Sequence, residues 1–254
     1  MDKYGCSVSG LCMIFNARPE PIHKFFLRLA RSKDEMESLV IQGRALAKCP
    51  GSIPATKVRT ILPLPVILGV IDVLVAVQVH EVVDRYAARI LPSTSISPYL
   101  ECAKRHRQTM DAVHPLSLVI EKGMDDYSRG CICQQDISKY YDCLSALRVA
   151  RWLRSQTGNW DIAATLLRLH TCPLIMLQVA SACACMRLRT IGMHTGSRSA
   201  GASGRIPLLD VADQRMQHWQ SLGFHGTGIS VFVDNLLAAS DNAASAIRIQ
   251  DDCA

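Results

Sequence analysis

Residues 229–239 read ISVFVDNLLAA, and this stretch decides the local fold around it. The β-type run from Ile229 to Val233 and the apolar run from Leu236 to Ala239 are separated by two residues, Asp234 and Asn235. The central residues of a two-residue hairpin loop need positive φ, which Asp and Asn tolerate better than most other residues. The stretch therefore predicts a tight β-hairpin with an acidic tip. Ordinary hairpins often carry such residues at their turns, so the stretch alone indicates a structure and not a site.

Two upstream segments give the hairpin a context. Residues 130–135 read as a short strand that ends at Asp136, and residues 192–196, GMHTG, read as a glycine-bearing loop. Along the chain, the order is thus an Asp at a strand end, then a glycine loop, then an acidic hairpin. Taken together, the three segments weaken the interpretation of Asp234 and Asn235 as ordinary turn residues without a function.

The rest of the chain predicts mainly helices, because apolar residues recur at helical spacing between proline- and glycine-containing breaks. The inward positions of the segment 140–154 are expected to be Leu144, Leu147 and Leu153. The expected helices are one or two within residues 19–48, then residues 65–90, 99–113, a segment after Pro115, and residues 140–154, 159–170 (capped by Asn159) and 210–222. The expected breaks and strands are a break at residues 50–54, strands at 174–179 and 186–191, and a loop over 192–204.

One apolar stretch resembles a membrane span in length. Residues 61–79 are mostly aliphatic, but they contain two prolines and Asp72. A span needs about 20 apolar residues, and shorter runs are more often buried core helices. We therefore expect one long helix over Pro65–Ile90 and no membrane association, with a β-branched strand at Val70–Val79 as the alternative.

Composition and charge limit the class of protein. The chain has 254 residues, of which 49% are hydrophobic and 20% charged, which is typical of a globular protein and excludes a disordered one. The net charge is +6, and residues 139–205 hold nine Lys and Arg against two Asp. A basic stripe at Arg148, Arg151 and Arg154 contributes to this excess, and such a local excess suits a polyanionic partner.

The eleven cysteines do not form a metal-binding or disulfide pattern. Cys131 and Cys133, like Cys183 and Cys185, are C-x-C pairs and not C-x-x-C knuckles. We interpret the cysteines as reduced, buried thiols, and we favour this interpretation over metal ligation. With no secretory leader recognisable after Met1, we expect an intracellular protein of the nucleus or cytoplasm, not a secreted one.

The strand end at residues 135–142 (QDISKYYD), the glycine loop and the F-V-D-N hairpin together resemble a reverse transcriptase domain. The resemblance is to the non-LTR retrotransposon and group II intron kinds of mobile element. It implies an α+β fold, a polymerase palm in which an antiparallel sheet carries helices on one face, with helical fingers. It also implies a division into an N-terminal helical segment at 1–50, fingers at 51–130 and palm at 131–254.

The resemblance also implies the site. Asp136 and Asp234 would be the catalytic carboxylates and, with the carbonyl of Ile137, would hold two Mg²⁺ ions, which prefer hard oxygen ligands. Tyr141 would exclude a ribose 2′-hydroxyl, although a core aromatic is the alternative. Lys57 and Arg59 would hold the incoming triphosphate, with a solvated loop as the alternative. Thr195 and Gly196 would form the glycine loop that positions the base pair. The expected partners are an RNA template, a DNA primer and deoxynucleoside triphosphates.

Three departures from the family pattern lower the expected activity. Thr195 stands where the family usually has Gln, and Asn235 stands where it usually has a second Asp. The chain ends at Ala254, shortly after the hairpin, so we expect the thumb to be missing. A truncated, partly degenerate domain would be a poor polymerase or an inactive remnant.

Two alternative functions stay open. The first is a non-catalytic nucleic-acid-binding or scaffold module with the palm fold. The second is an unrelated helical interaction protein with no sheet joining 131–136 to 229–239.

Overall fold

The computed structural model describes residues 2, 4–47, 58–90, 114, 117–118, 121, 131–179, 182–186, 189–223, 228–232, 235–240 and 243–253. The strands are β1 (Val40–Ala47), β2 (Val58–Ile61), β3 (Cys131–Asp136), β4 (Leu174–Val179), β5 (Ala182–Met186), β6 (Gly228–Phe232) and β7 (Asn235–Ser240). The helices are α1 (Val8–Ala17), α2 (Pro19–Arg31), α3 (Lys33–Glu37), α4 (Val66–Ile90), α5 (Tyr140–Cys143), α6 (Ala146–Thr157), α7 (Trp160–Thr171), α8 (Arg198–Ser221) and α9 (Ala243–Cys253).

The chain divides into two compact units, each built from two separate segments. The first unit comprises Met1–Val82 and Tyr141–Gly201, and the second comprises Val83–Tyr140 and Ala202–Ala254. The fold class is α+β, as the sequence predicted. The expected division of the chain at residues 50 and 130 stays a prediction.

The second unit contains the predicted hairpin in a three-stranded antiparallel sheet of order β3-β7-β6. Strands β6 and β7 pair from Gly228 with Ala239 to Phe232 with Asn235. Strand β3 pairs with β7 along its whole length, and helix α9 contacts both of these strands. The sheet joins residues 131–136 to 235–240, so the alternative of an unrelated helical protein without such a sheet is wrong.

The first unit contains a four-stranded mixed sheet of order β2-β1-β4-β5, in which β1 and β4 run parallel. Strand β1 corrects the helical prediction for residues 40–47. Ile41 and Gly43 are buried while Gln42 and Arg44 are exposed, which is the period-two alternation of a strand. Gly43 is closely packed, because a Cβ there would lie 2.8 Å from a methyl of Leu62, which would have to shift.

Helix α7 packs against both α2 and α6 in the same unit. The helix predicted over 140–154 is broken at Leu144–Ser145, where the Ser145 hydroxyl accepts a hydrogen bond from Arg148 N and begins α6. Leu144 and Leu153 are buried as expected, but Leu147 is 42% exposed, so its inward assignment was wrong. The Asn159 cap of α7 is confirmed, since its side chain accepts from Asp161 N at 2.8 Å.

The long helix α4 confirms the helical prediction for 65–90, and the alternative of a strand at Val70–Val79 is wrong. Within the described part of the chain, Val66–Arg89 is long and apolar enough to cross a membrane by length and composition. Core helices pass the same test, and 44% of its most apolar window is buried inside the protein.

Two boundaries near the glycine loop differ from the prediction. Strand β5 covers Ala182–Met186 instead of 186–191, and α8 begins at Arg198 instead of about residue 210. The small residues of 198–204 favoured a loop by propensity, but tertiary packing overrides that preference. Ala202, Ser203 and Gly204 are buried, and a Cβ on Gly204 would lie 2.9 Å from the Tyr140 ring.

Several predicted elements lie outside the described residues. These are the break at 50–54 and the helix at 99–113. Of the segment expected to be helical after Pro115, the structure describes positions 117, 118 and 121, and all three are helical.

Candidate functional site

The end of β3 brings Asp136 opposite Asn235 at one edge of the three-stranded sheet. The register pairs Asp136 with Asn235, and Asn235 with Phe232 on the other side. Directly opposed residues in an antiparallel pair have Cα atoms about 4.5–5.5 Å apart and their side chains on the same face. Three strand ends therefore meet at this edge. Asp234 precedes Asn235 in the sequence and lies outside the described residues.

The Asp136 carboxylate is exposed to solvent, and the following Ile137 is half-buried. Among the residues that the structure describes, no three His, Cys, Asp or Glu side chains come together as a group that could hold a metal ion. Of the side chains that the structure describes at this edge, the Asp136 carboxylate is a hard oxygen donor. Asp136 is placed as the sequence predicted, and its role as a ligand stays a prediction.

Helix α9 packs against strands β3 and β7 of this sheet. Ile249 and Ser245 of α9 and Ser240 of β7 are buried. The buried Trp219 of α8 donates its indole N–H to an Asp252 carboxylate oxygen at 3.0 Å, which ties α8 to α9. Sequence reasoning missed this tie, because the two residues are distant in the chain and neither stands in a recognisable motif.

The glycine loop, defined here as residues 192–197, lies in the first unit and is hydrogen-bonded to the segment that carries Tyr141. Gly192 N donates to Leu144 O and Met193 N donates to Tyr141 O, both at 2.8 Å. Tyr141 is half-buried, and its phenolic oxygen lies 4.0 Å from where a Cβ on Gly201 would stand. The structure therefore brings together two predicted site segments that are about fifty residues apart in the sequence.

Gly196 needs to be glycine because of its backbone and not because of space. Its φ is +98°, a conformation that side chains rarely adopt, and nothing lies within 4 Å of a Cβ built there. Gly196 is exposed and Thr195 is half-buried. The loop thus presents both residues at the surface of the first unit.

A cavity of about 270 Å³ opens beside the glycine loop. Arg189, which sequence reasoning missed, lines this cavity. Its guanidinium lies 2.9 Å from an Asp142 carboxylate oxygen and also donates to Ile191 O and Met193 O. Arg189 therefore joins the loop to the segment after Tyr141. The lining residues are Thr60, Leu62, Asp142, Ile175, Leu177, Ala184, Cys185, Met186, Arg189 and Thr195.

The predicted triphosphate residues are only partly described. Arg59 lies on β2 opposite Leu46, and the next residue, Thr60, lines the cavity. The Arg59 side chain and the whole of Lys57 lie outside the described residues. Their role stays a prediction.

A buried polar chain lies behind the glycine loop, formed by Asp72 of α4, Ser199 of α8, His170 of α7 and His194 of the loop. All four residues are at most 3% exposed. Ser199 Oγ donates to an Asp72 carboxylate oxygen, His170 Nε2 lies 2.9 Å from Ser199 Oγ, and His194 N donates to His170 Nδ1 at 3.1 Å. Asp72, the one charged residue in the apolar first half of α4, was the sequence signal that could have found this chain.

Both histidines of the buried polar chain are held neutral. Burial lowers the pKa of His170 well below its ordinary value, and the neighbouring His194 and Arg189 lower it further. Burial also lowers the pKa of His194 to about 4, opposed in part by its hydrogen bond to Leu169 O and assisted by Arg189. A positive charge on either ring would lie in an interior that has no room to solvate it.

The exposed face of α6 carries the predicted basic stripe. Arg148, Arg151 and Arg154 are all exposed. The Arg154 guanidinium stacks over the Trp160 ring, 3.5 Å from its centroid. A cation beside an exposed aromatic ring is a combination that suits a nucleic-acid backbone and a stacked base.

No protein-family model matches the sequence, and no curated protein matches it. Among solved structures, the chain is similar to the telomerase of Candida albicans, solved in complex with a TWJ fragment of telomeric RNA. The TM-score is 0.52 at 10% identity, covering 91% of this chain and 43% of that chain. The likeness shows a polymerase-like fold of the kind found in reverse-transcriptase-related enzymes. The chain spans less than half of the length of the telomerase chain.

Proposed function

We propose that this chain is the palm and fingers part of an RNA-directed DNA polymerase, a reverse transcriptase of a mobile element. The observation that carries the proposal is the pairing of Asp136 with Asn235 at the end of an antiparallel β3-β7-β6 sheet. This pairing sets the strand-end carboxylate next to the hairpin whose acidic tip resembles that of reverse transcriptases. The polymerase-like fold shared with telomerase supports the same assignment.

The residues at this edge suit Mg²⁺, because Asp136 offers an exposed carboxylate and Asp234 stands next to its paired neighbour in sequence. Asp136, Asp234 and the Ile137 carbonyl oxygen would hold two ions, as hard oxygen donors do. When bound, two such ions neutralise charge on the attacking and leaving oxygens of a nucleotidyl transfer. The chain's own contribution would be to hold the Asp136 carboxylate at the end of a strand that is paired with the hairpin.

The first unit would supply the nucleotide contacts. Thr195 lines the cavity, Gly196 follows it in the glycine loop, and Tyr141 is hydrogen-bonded to the same loop through Met193. In the proposal, this cavity binds either part of the incoming deoxynucleotide or its template base. Tyr141 excludes nucleotides that carry a ribose 2′-hydroxyl. Lys57 and Arg59 bind the triphosphate, since cationic side chains pair with phosphate oxygens.

The basic stripe on α6 would bind the template or primer backbone. Neutralising phosphates releases counterions, so binding should weaken as salt rises. Replacing Arg148 and Arg151 by Gln should weaken binding of an RNA–DNA duplex and reduce the slope of log affinity against log salt. An unchanged slope would remove the stripe from the binding surface.

Primer extension tests the catalytic assignment. The assay uses the full chain, an RNA template with a DNA primer, deoxynucleoside triphosphates and Mg²⁺. Asp136→Ala and Asp234→Ala should each reduce extension at least about 100-fold, because each removes a charged ligand. Asp251→Ala is the matched control, since Asp251 is an exposed carboxylate on α9 of the same unit. Equal extension by wild type and the two site variants would refute the catalytic assignment.

A second function is favoured by one specific feature, the amide of Asn235 where a second carboxylate would strengthen a metal site. In this alternative the chain binds nucleic acid without catalysis, as a scaffold that retains the palm fold. Fluorescence anisotropy with an RNA–DNA duplex separates the two functions. The alternative predicts duplex binding that is equal with and without Mg²⁺ and unaffected by Asp136→Ala, together with no primer extension by wild type.

A further inference from the structure

The buried polar chain has one consistent arrangement of hydrogens. His194 N donates to His170 Nδ1, so this ring nitrogen is an acceptor and the proton of the neutral ring lies on Nε2. His170 Nε2–H then donates to Ser199 Oγ, whose own hydroxyl donates to the Asp72 carboxylate. Every donor along the path meets an acceptor, from the backbone of the glycine loop to a carboxylate on α4.

Asp72 also holds the start of α8. Its carboxylate oxygens accept from the backbone N–H groups of Arg198 at 2.7 Å and of Ser199 at 3.0 Å. The first N–H groups of a helix have no partner within the helix, and a negative charge there is favoured by the helix dipole. A side chain from a distant helix thus performs the capping that a local residue usually performs.

The glycine loop is therefore anchored at two points that flank its exposed part. One anchor is His194, through the ring of His170, and the other is the start of α8, through Asp72. Between the two anchors lie Thr195 and Gly196. Moving either anchor would leave buried polar groups unpaired, which is costly in the protein interior.

We propose that Asp72, Ser199 and His170 are positioning residues, which fix the conformation of Thr195 and Gly196 and through them the fit of the incoming nucleotide. The inference rests on the proposed function, because it gives the glycine loop its role at a polymerase site. Ser199 is 0% exposed, and His170 is 0% exposed, so neither of them contacts a substrate. Their influence on the site passes through the loop.

Hydrogen–deuterium exchange tests the anchoring without any activity. Ser199→Ala removes the bridging hydroxyl, and Val149→Ala is the control, since it truncates a buried side chain of α6 that is outside the buried polar chain. With both variants compared at equal global stability, the amides of the glycine loop should exchange about tenfold faster in Ser199→Ala. That factor corresponds to the loss of about 1.4 kcal/mol. Equal exchange in the two variants would overturn the inference.

A spectroscopic measurement on the wild type adds a test that needs no variant. Nitrogen-15 NMR of the His170 ring should show the neutral form protonated on Nε2. Protonation on Nδ1 would overturn the inference, because His194 N would then have no acceptor on this ring.

Primer-extension kinetics separate the two proposals. Ser199→Ala should raise KM for the incoming nucleotide about tenfold more than Val149→Ala does, with a smaller change in kcat. If the wild type does not extend a primer, the proposed function fails, and the exchange and NMR measurements still decide whether the chain anchors the loop. If the wild type extends normally and KM is the same in both variants, the positioning role fails while the proposed function stands.

Discussion

Acid should destabilise the first unit through His194. The pKa of this buried ring is lowered to about 4 from its ordinary value of 6.5. Between these two values the unfolded chain binds the proton and the folded chain does not, so stability is highest above pH 6.5 and falls as the pH falls towards 4. At about 1.4 kcal/mol for each pH unit, the full window removes about 3 kcal/mol of unfolding free energy.

His170 acts in the same direction. Its pKa is also lowered, so its contribution is present above pH 6.5 and decreases as the pH falls below that value. The measurement is urea unfolding followed by circular dichroism at several pH values between 7.5 and 4.5. His194→Gln removes the titration and keeps an N–H that can donate to Leu169 O, which His194 Nε2 contacts at 2.9 Å.

His218→Gln is the control, because His218 is exposed on α8. We expect the His194→Gln protein to lose about half or more of the wild-type dependence of stability on pH, and the His218→Gln protein to keep it. A His194→Gln protein with the full wild-type dependence would refute the reasoning that burial of this ring sets the acid sensitivity.

Two further predictions concern stability. Asp84→Asn should cost about 2–3 kcal/mol, because it leaves the guanidinium of Arg205, which is 4% exposed and lies 2.8 Å from Asp84, without its counter-charge. Asp161→Asn, at an exposed ion pair, should cost under about 1 kcal/mol in the same chemical denaturation series, and equal costs would contradict the role of burial. Gly196→Ala should cost about 1–2 kcal/mol because φ is +98°, whereas Gly69→Ala on α4 should stabilise by about 1 kcal/mol, as thermal unfolding would measure. A stabilising Gly196→Ala would show that the loop adopts another backbone conformation in solution.

Elements whose signal is local could be predicted from the sequence. The hairpin was predicted because Asp234 and Asn235 separate two β-type runs, and β3 because a short run ends at Asp136. Helix α4 was predicted because its prolines stand before its first turn. In each case the residues that determine the element lie within that element.

Elements that depend on distant partners could not be predicted in this way. The start of α8 was missed, because the six small residues at 199–204 are typical of a loop, whereas Asp72 caps the helix start and Tyr140 packs against Gly204. Strand β1 was missed, because its alternation is short and one of its two pairing partners, β4, lies about 130 residues away in the chain. The roles of Arg189 and of the buried polar chain follow from contacts across 24–127 positions, which no local pattern encodes.

The register of β3 against β7 makes the edge at Asp136 more sensitive to insertions and deletions than to substitutions. A substitution leaves the backbone ladder in place. A single residue inserted within 235–240 would either move Asn235 away from Asp136 or turn the rest of β7 over, bringing the buried Ser240 to the outer face. In-frame length changes within residues 131–136 or 235–240 would therefore disturb the proposed site even where Asp136 and Asp234 are both retained.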